Sequence, residues 1–159
     1  MERVVRRLIE NNETISAMES CTGGGLVNAI TSVPNASKVI KFGAMTYDNE
    51  FKEIMGVSHE AIGNHTVYSQ EVAEEMAKKI SMFTRSTYGV GITGKLNKAD
   101  ENNPYGDDDV VYVSIYDSKD EEYYNIKMQV HHVDRAESKQ EVIDAFVEKF
   151  LEITENKTK

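Results

Sequence analysis

The run Glu19-Ser20-Cys21-Thr22-Gly23-Gly24 holds the residue types best suited to chemistry in this chain. Thr14 to Met18, before it, is short, largely apolar and β-compatible, and Leu26, Val27 and Ile30, after it, share one helical face. The run is therefore expected to be a tight turn between a strand and a helix, its glycines reaching backbone angles that other residues avoid. Such a turn exposes backbone N–H groups at the positive end of a helix, where an anion or oxyanion can sit. It also holds a hydroxyl, Ser20 or Thr22, at the mouth of that site. Ser is equally a common helix cap and Gly a common loop residue, so the pattern alone also reads as a structural turn. Cys21 is a second candidate nucleophile, because a thiol at a helix N-terminus is activated in principle. It ranks below Ser20 because, one residue further on, it is expected to turn toward the sheet.

The elements that must position this turn follow from patterning. Residues 2 to 10 read as a helix stopped by Asn11-Asn12, and Pro34 to Ser37 as a turn. Val39 to Tyr47 reads as a strand, and Asn49 to about Met55 as a short helix ended at Gly56. Ser58 to Gly63 adds a further helical turn. Ser69 is placed as the cap of a helix to about Phe83, buried through Val72, Met76, Ile80 and Phe83. Thr87 to Thr93, Val110 to Tyr116 and Tyr123 to Val130 read as strands, with a long polar loop from Gly94 to Asp109. Ser138 with Glu141 has the capping-box spacing for a last helix to about Thr154, with residues 155–159 as a frayed tail. Strands alternate with helices in the first half and follow one another in the second, which predicts a single three-layer α/β/α domain with a mixed central sheet. Ser20, Tyr47 and Thr93 all fall at strand carboxyl ends, where sites in such sheets collect.

Composition narrows the partners. With 27 acidic against 18 basic residues the net charge is −9, and no basic stripe is present to neutralise phosphates, so nucleic acid is not the expected ligand. No apolar run approaches the roughly 20 residues of a membrane span. Cys21 is the only cysteine, so no internal disulfide can form. These features fit a cytoplasmic protein. His131-His132 lacks a paired ligand at metal spacing, and Asp107 to Asp109 reads as a solvated loop rather than a cage, so no metal site is expected.

Four stretches carry a resemblance to one family. Glu19 to Gly24 resembles the Glu-Ser-Cys-Thr-Gly-Gly signature of the CinA C-terminal domain family, competence/damage-inducible proteins whose members include nicotinamide mononucleotide deamidases. Tyr47, Asn49, Glu50 and Lys52, followed by Met55-Gly56-Val57, resemble the family's second motif. Ser69, Val72, Ala73, Met76 and Ala77 resemble its following helix. Asp134-Arg135 matches a Gly-Asp-Arg site, with Lys139 where the family has a second arginine. The chain departs from the family after Ile92-Thr93-Gly94: a charged stretch from Lys95 to Asp109 replaces a glycine-rich loop, and Lys95 or Lys98 could supply a phosphate contact there.

The resemblance implies an amidase. Ser20 would attack the carboxamide of nicotinamide mononucleotide. Lys52, its ammonium form disfavoured by dehydration, would take the Ser20 proton, with Tyr47 orienting it or relaying the proton. The amides of Thr22, Gly23 and Gly24 would hold the oxyanion, and Asn49, Thr93, Gly94 and Arg135 would complete the substrate site. No metal or cofactor is needed, and the family's habit implies a homo-oligomer. Two other readings stay open: a nucleotide-binding or competence-related interaction module without turnover, and an amidase for another small amide.

Overall fold

The computed structural model describes residues 1–96, 106–131 and 134–157. In chain order these form α1 (Glu2–Glu10), β1 (Ile15–Glu19), α2 (Gly25–Thr31), β2 (Ile40–Met45), α3 (Asn49–Ile54), α4 (His59–His65), α5 (Gln70–Thr84), β3 (Tyr88–Gly94), β4 (Val110–Asp117), β5 (Glu122–Gln129) and α6 (Arg135–Asn156). The strands make one mixed sheet in the order β2-β1-β3-β4-β5. β1 pairs parallel with β2 and β3, and β4 pairs antiparallel with β3 and β5. β1 and β3 are buried at every position because helices cover both of their faces.

Strand periodicity divides the core. Ile15 and Ala17 of β1, with Tyr88, Val90 and Ile92 of β3, face a cluster built from Val4, Val5 and Leu8 of α1, Leu26 and Ile30 of α2, and Phe146 and Phe150 of α6. Tyr88 meets Phe150 edge to face with ring centres 5.0 Å apart. On the other face Met18 packs with Val57, Ala61 and the α5 residues Val72, Met76 and Ile80. α5 lies unusually close to β3. A Cβ on Gly89 would stand 2.0 Å from the Ala77 carbonyl oxygen, and one on Gly91 2.1 Å from that of Ala73. These two glycines therefore set the helix-to-sheet distance. Ser69 caps α5 by accepting from the Val72 amide at 3.2 Å.

The structure corrects four expectations. The cap of α6 is Asp134, whose carboxylate accepts from the Ala136 and Glu137 amides at 2.8 and 3.1 Å. Ser138 lies inside the helix and donates to the Asp134 carbonyl, while Glu141 reaches back to the His131 amide at 3.1 Å. An aspartate directly before the first turn caps it without needing the longer box. α6 continues through Glu155 and Asn156. Its end is held by Arg3 pairing with Glu155 at 2.9 Å and by Lys157 pairing with Asp117 and Asp120. Phe83 is exposed and rests on Phe42, because the apolar spacing of α5 continues to the sheet's edge strand, β2, which only partly covers it. β2 spans only Ile40–Met45, so Thr46 and Tyr47 lie in the exit loop. No helix among the described residues is long and apolar enough to cross a membrane.

Candidate active site

The end of β1 sets the geometry. Period-two alternation sends Glu19 to the α2 side and Ser20 to the α5 side. Glu19 is almost wholly buried. Its carboxylate accepts from the Thr22 hydroxyl at 2.6 Å, the Leu26 amide at 3.0 Å and the Val27 amide at 2.9 Å. This one side chain satisfies the amides that open α2 and folds the turn back on itself. Gly23 and Gly24 make the reversal with φ of +61° and +89°, in the left-handed region. The helix start is thus occupied by an internal carboxylate, which corrects the expectation that α2 presents an open positive end. Within the turn the Gly23 amide donates to the Ser20 carbonyl at 2.8 Å. The amides of Thr22 and Gly24 have no backbone acceptor among the described residues.

Ser20 is held by its own amide, which donates to the Ile92 carbonyl at 3.0 Å. Its hydroxyl meets Lys52 from α3, with Nζ to Oγ 3.4 Å. Lys52 is 1% exposed. Its Nζ donates to the Thr46 carbonyl at 2.7 Å and contacts Asn49 Oδ1 at 3.5 Å. Asp48 caps α3 through the Glu50 amide at 2.9 Å, which fixes the turn carrying Asn49 and Lys52. Burial lowers the Lys52 pKa from 10.5 to about 8, against smaller opposing contributions from Cys21 and Asp48. A lysine so placed is mostly protonated at pH 7, with roughly a tenth neutral, and becomes mostly neutral above about pH 8.

The remaining expected residues divide. Asn49 stands against the lysine. Tyr47 is 57% exposed, and its hydroxyl accepts from Arg135 Nη2 at 3.3 Å. The groups that hold Lys52 Nζ are the Thr46 carbonyl and Asn49, while the chain leaving β2 turns Tyr47 outward. Arg135, at the start of α6, also donates through Nη1 to the Leu96 carbonyl, so it bridges the exits of β2 and β3. Thr93 is buried beside the Ser20 pleat, with its hydroxyl donating to the Val67 carbonyl at 2.6 Å. Gly94 is glycine because β4 is close: a Cβ there would sit 2.7 Å from the Val110 carbonyl oxygen. Lys139 brings a further cation over the turn, its Nζ 3.1 Å from where a Gly23 Cβ would be.

Cys21 is buried, and burial together with neighbouring Glu19 pushes its thiol up to about 12. It stays protonated at neutral pH, which removes the thiolate a cysteine nucleophile needs. Lys98 and His132 lie outside the described residues. His131 pairs with Glu141 at 3.2 Å. Sequence reasoning missed Glu19 and Thr46. A carboxylate ending a largely apolar strand in register with Ile15 and Ala17 signalled the first, whereas Thr46 acts through its backbone, which no side-chain pattern reveals.

A family model described as the CinA C-terminal domain matches residues 1–156. The chain belongs to the CinA C-terminal domain family. Among curated relatives, a CinA-like protein of Endomicrobium trichonymphae is 35% identical over 122 residues, covering 75% of this chain and 28% of its own length. A CinA-like protein of Anaeromyxobacter sp. (strain Fw109-5) is 41% identical over 92 residues, covering 57% of this chain and 22% of its own. The CinA domain here thus spans under a third of the length of these relatives. Its fold is that of a CinA superfamily protein from Klebsiella pneumoniae 700603, with TM-score 0.84 and 20% identity over 97% of this chain and 92% of that one. The competence/damage inducible protein CihA from Agrobacterium tumefaciens superposes with TM-score 0.82 at 24% identity, covering 94% of this chain and 93% of that one.

Proposed function

We propose that this CinA domain is an amidohydrolase that converts nicotinamide mononucleotide and water to nicotinate mononucleotide and ammonia. The observation that carries the reading is Lys52: a buried lysine, its proton affinity lowered by dehydration, with Nζ 3.4 Å from Ser20 Oγ. In the proposed reaction neutral Lys52 takes the Ser20 proton as Oγ bonds to the amide carbon. The Thr22 and Gly24 amides stabilise the oxyanion. Lys52 then gives its proton to the leaving nitrogen, the C–N bond breaks, and ammonia departs. Water, deprotonated by Lys52, hydrolyses the Ser20 ester and restores the enzyme. Thr46 and Asn49 hold the lysine in line, and Arg135 with Lys139 supplies positive charge for the nucleotide. A cytoplasmic setting and self-association belong to the same proposal.

Ammonia release from nicotinamide mononucleotide is the test, with wild type compared with Ser20→Ala and Lys52→Ala. Loss of activity in both variants supports the dyad. An undiminished Ser20→Ala protein refutes it. Nucleotide binding by wild type without ammonia release would mark a binding module instead.

A further inference from the structure

Lys95 has an environment that its visible partners do not explain. It lies two residues beyond Thr93, and its amide continues the β3–β4 pairing to the Val110 carbonyl at 3.1 Å. Strand alternation puts its side chain on the face shared by Ser20 and Thr93, while Leu96 turns to the opposite core. Ser20 pairs level with this strand through the Ile92 carbonyl, so Lys95 stands about 7 Å further along the same face. Its side chain is 4% exposed, yet its ion-pair partner is Asp108, 59% exposed, at 3.2 Å from Nζ. The Tyr68 ring lies beneath the ammonium at 5.9 Å.

The pair is unequal. A lysine taken out of water loses its hydration, and a carboxylate that stays in water is screened and returns little of that loss. The buried member cannot leave, whereas the exposed one needs only a side-chain rotation. The turn carrying it is set independently: the Asp108 carbonyl accepts from Gln129 Nε2 at 3.3 Å, and the Asp109 carbonyl accepts from the Val130 amide at 2.8 Å. Arg135 is hydrogen-bonded to the carbonyl of Leu96, the next residue, which anchors a second cation at the exit of the same strand.

We propose that Lys95 is an anion-binding residue of the cleft and that Asp108 is its resident competitor: the phosphate monoester of a bound nucleotide displaces the Asp108 carboxylate from Lys95 Nζ. A phosphate dianion carries more charge and more acceptor oxygens than the carboxylate it replaces. The inference rests on the reading of the cleft as a nucleotide site, and its test is binding rather than turnover.

Calorimetry of wild type, Lys95→Met and Asp108→Asn with nicotinamide mononucleotide and with nicotinamide riboside, which lacks the phosphate, decides it. Lys95→Met is expected to weaken the mononucleotide roughly tenfold and leave the riboside unchanged, the loss appropriate to one charge-assisted hydrogen bond. Asp108→Asn is expected to tighten the mononucleotide several-fold, again without effect on the riboside. An unchanged mononucleotide affinity in Lys95→Met, or an equal loss for both ligands, overturns the assignment. Weaker mononucleotide binding in Asp108→Asn overturns the competition. Should Lys95→Met not fold, Asp108→Asn decides alone. Should wild type bind neither the mononucleotide nor the riboside, the reading of the cleft fails, and inorganic phosphate becomes the probe. Phosphate binding to wild type that tightens in Asp108→Asn upholds the Lys95 site, and absence of phosphate binding overturns it.

Discussion

Replacing Lys52 by methionine should stabilise the fold while removing the proposed base. An unfolded chain keeps the Lys52 proton up to about pH 10.5, the folded chain only up to about pH 8. At pH 7 both are protonated, and the folded state bears the full penalty of a dehydrated ammonium, ~3 kcal/mol. Methionine fills nearly the same space without charge, but it strands the Thr46 carbonyl and the Ser20 hydroxyl, at a cost of ~1–2 kcal/mol. The net gain at pH 7 is ~1–2 kcal/mol. Between pH 8 and 10.5 the unfolded chain binds the proton that the folded chain has lost, so this group makes stability rise with pH. From pH 7 to 9.5 that recovery amounts to ~2 kcal/mol in wild type and is absent from the variant. The other titratable groups are common to both proteins, so their contributions largely cancel in the difference. Urea unfolding at the two pH values measures it. The advantage of Lys52→Met should shrink by ~2 kcal/mol on going from pH 7 to pH 9.5. An advantage that is constant within ~0.5 kcal/mol would show that Lys52 is not destabilised by burial, and the argument for a neutral base would fall with it.

The same lysine governs the pH dependence of ammonia release: kcat/KM should rise about tenfold per pH unit below the Lys52 pKa and level off above about pH 8, and a profile flat from pH 6 to 9 would exclude it as the base. Glu19→Ala should destabilise by ~3 kcal/mol, since it strands the Thr22 hydroxyl and two amides; urea unfolding giving under ~0.5 kcal/mol would mean that the turn stands without it. Gly91→Ala should cost ~3 kcal/mol or more, because its Cβ would lie 2.1 Å from the Ala73 oxygen. Gly63→Ala, with nothing within 4 Å in the middle of α4, should gain ~0.5 kcal/mol, and a similar melting temperature for the two variants would deny that α5 rests on β3.

The architecture was legible because its elements are locally consistent. β1 is short, largely apolar and buried on both sides, α5 repeats Val72, Met76 and Ile80 at helical spacing, and the change from alternating elements to adjacent strands announced the mixed sheet. The errors came where a local pattern had a competitor. Ser138 and Glu141 have the spacing of a capping box, but Asp134 is nearer the helix start and Glu141 is drawn to His131. Phe83 continues the α5 stripe to the edge strand β2, where it meets Phe42 and stays exposed. At the site, Ser20 and Lys52 were legible as residue types in matching motifs, and the structure puts them 3.4 Å apart. Tyr47 was read as the lysine's partner because sequence proximity carries no information on which way a strand-exit residue turns. Its hydroxyl goes to Arg135.

The adjacency of Glu19 and Ser20 explains why the site must be built at a strand end. Two successive residues of an extended chain point to opposite faces, so one can hold the turn together while the next, also buried, meets the lysine. Glu19 spends its carboxylate on Thr22, Leu26 and Val27 on the α2 side. Ser20, fixed by its amide on Ile92, then projects toward Lys52 on the other. Sliding the turn by one residue would exchange the two, burying the hydroxyl against α2 and setting a carboxylate 3–4 Å from the lysine, roughly the reach of an ion pair. That pairing would favour the ammonium and raise the Lys52 pKa, removing the neutral base. The carboxylate must therefore be near enough to fold the turn and on the wrong face to reach the lysine, which the strand's two-residue period provides without any further device.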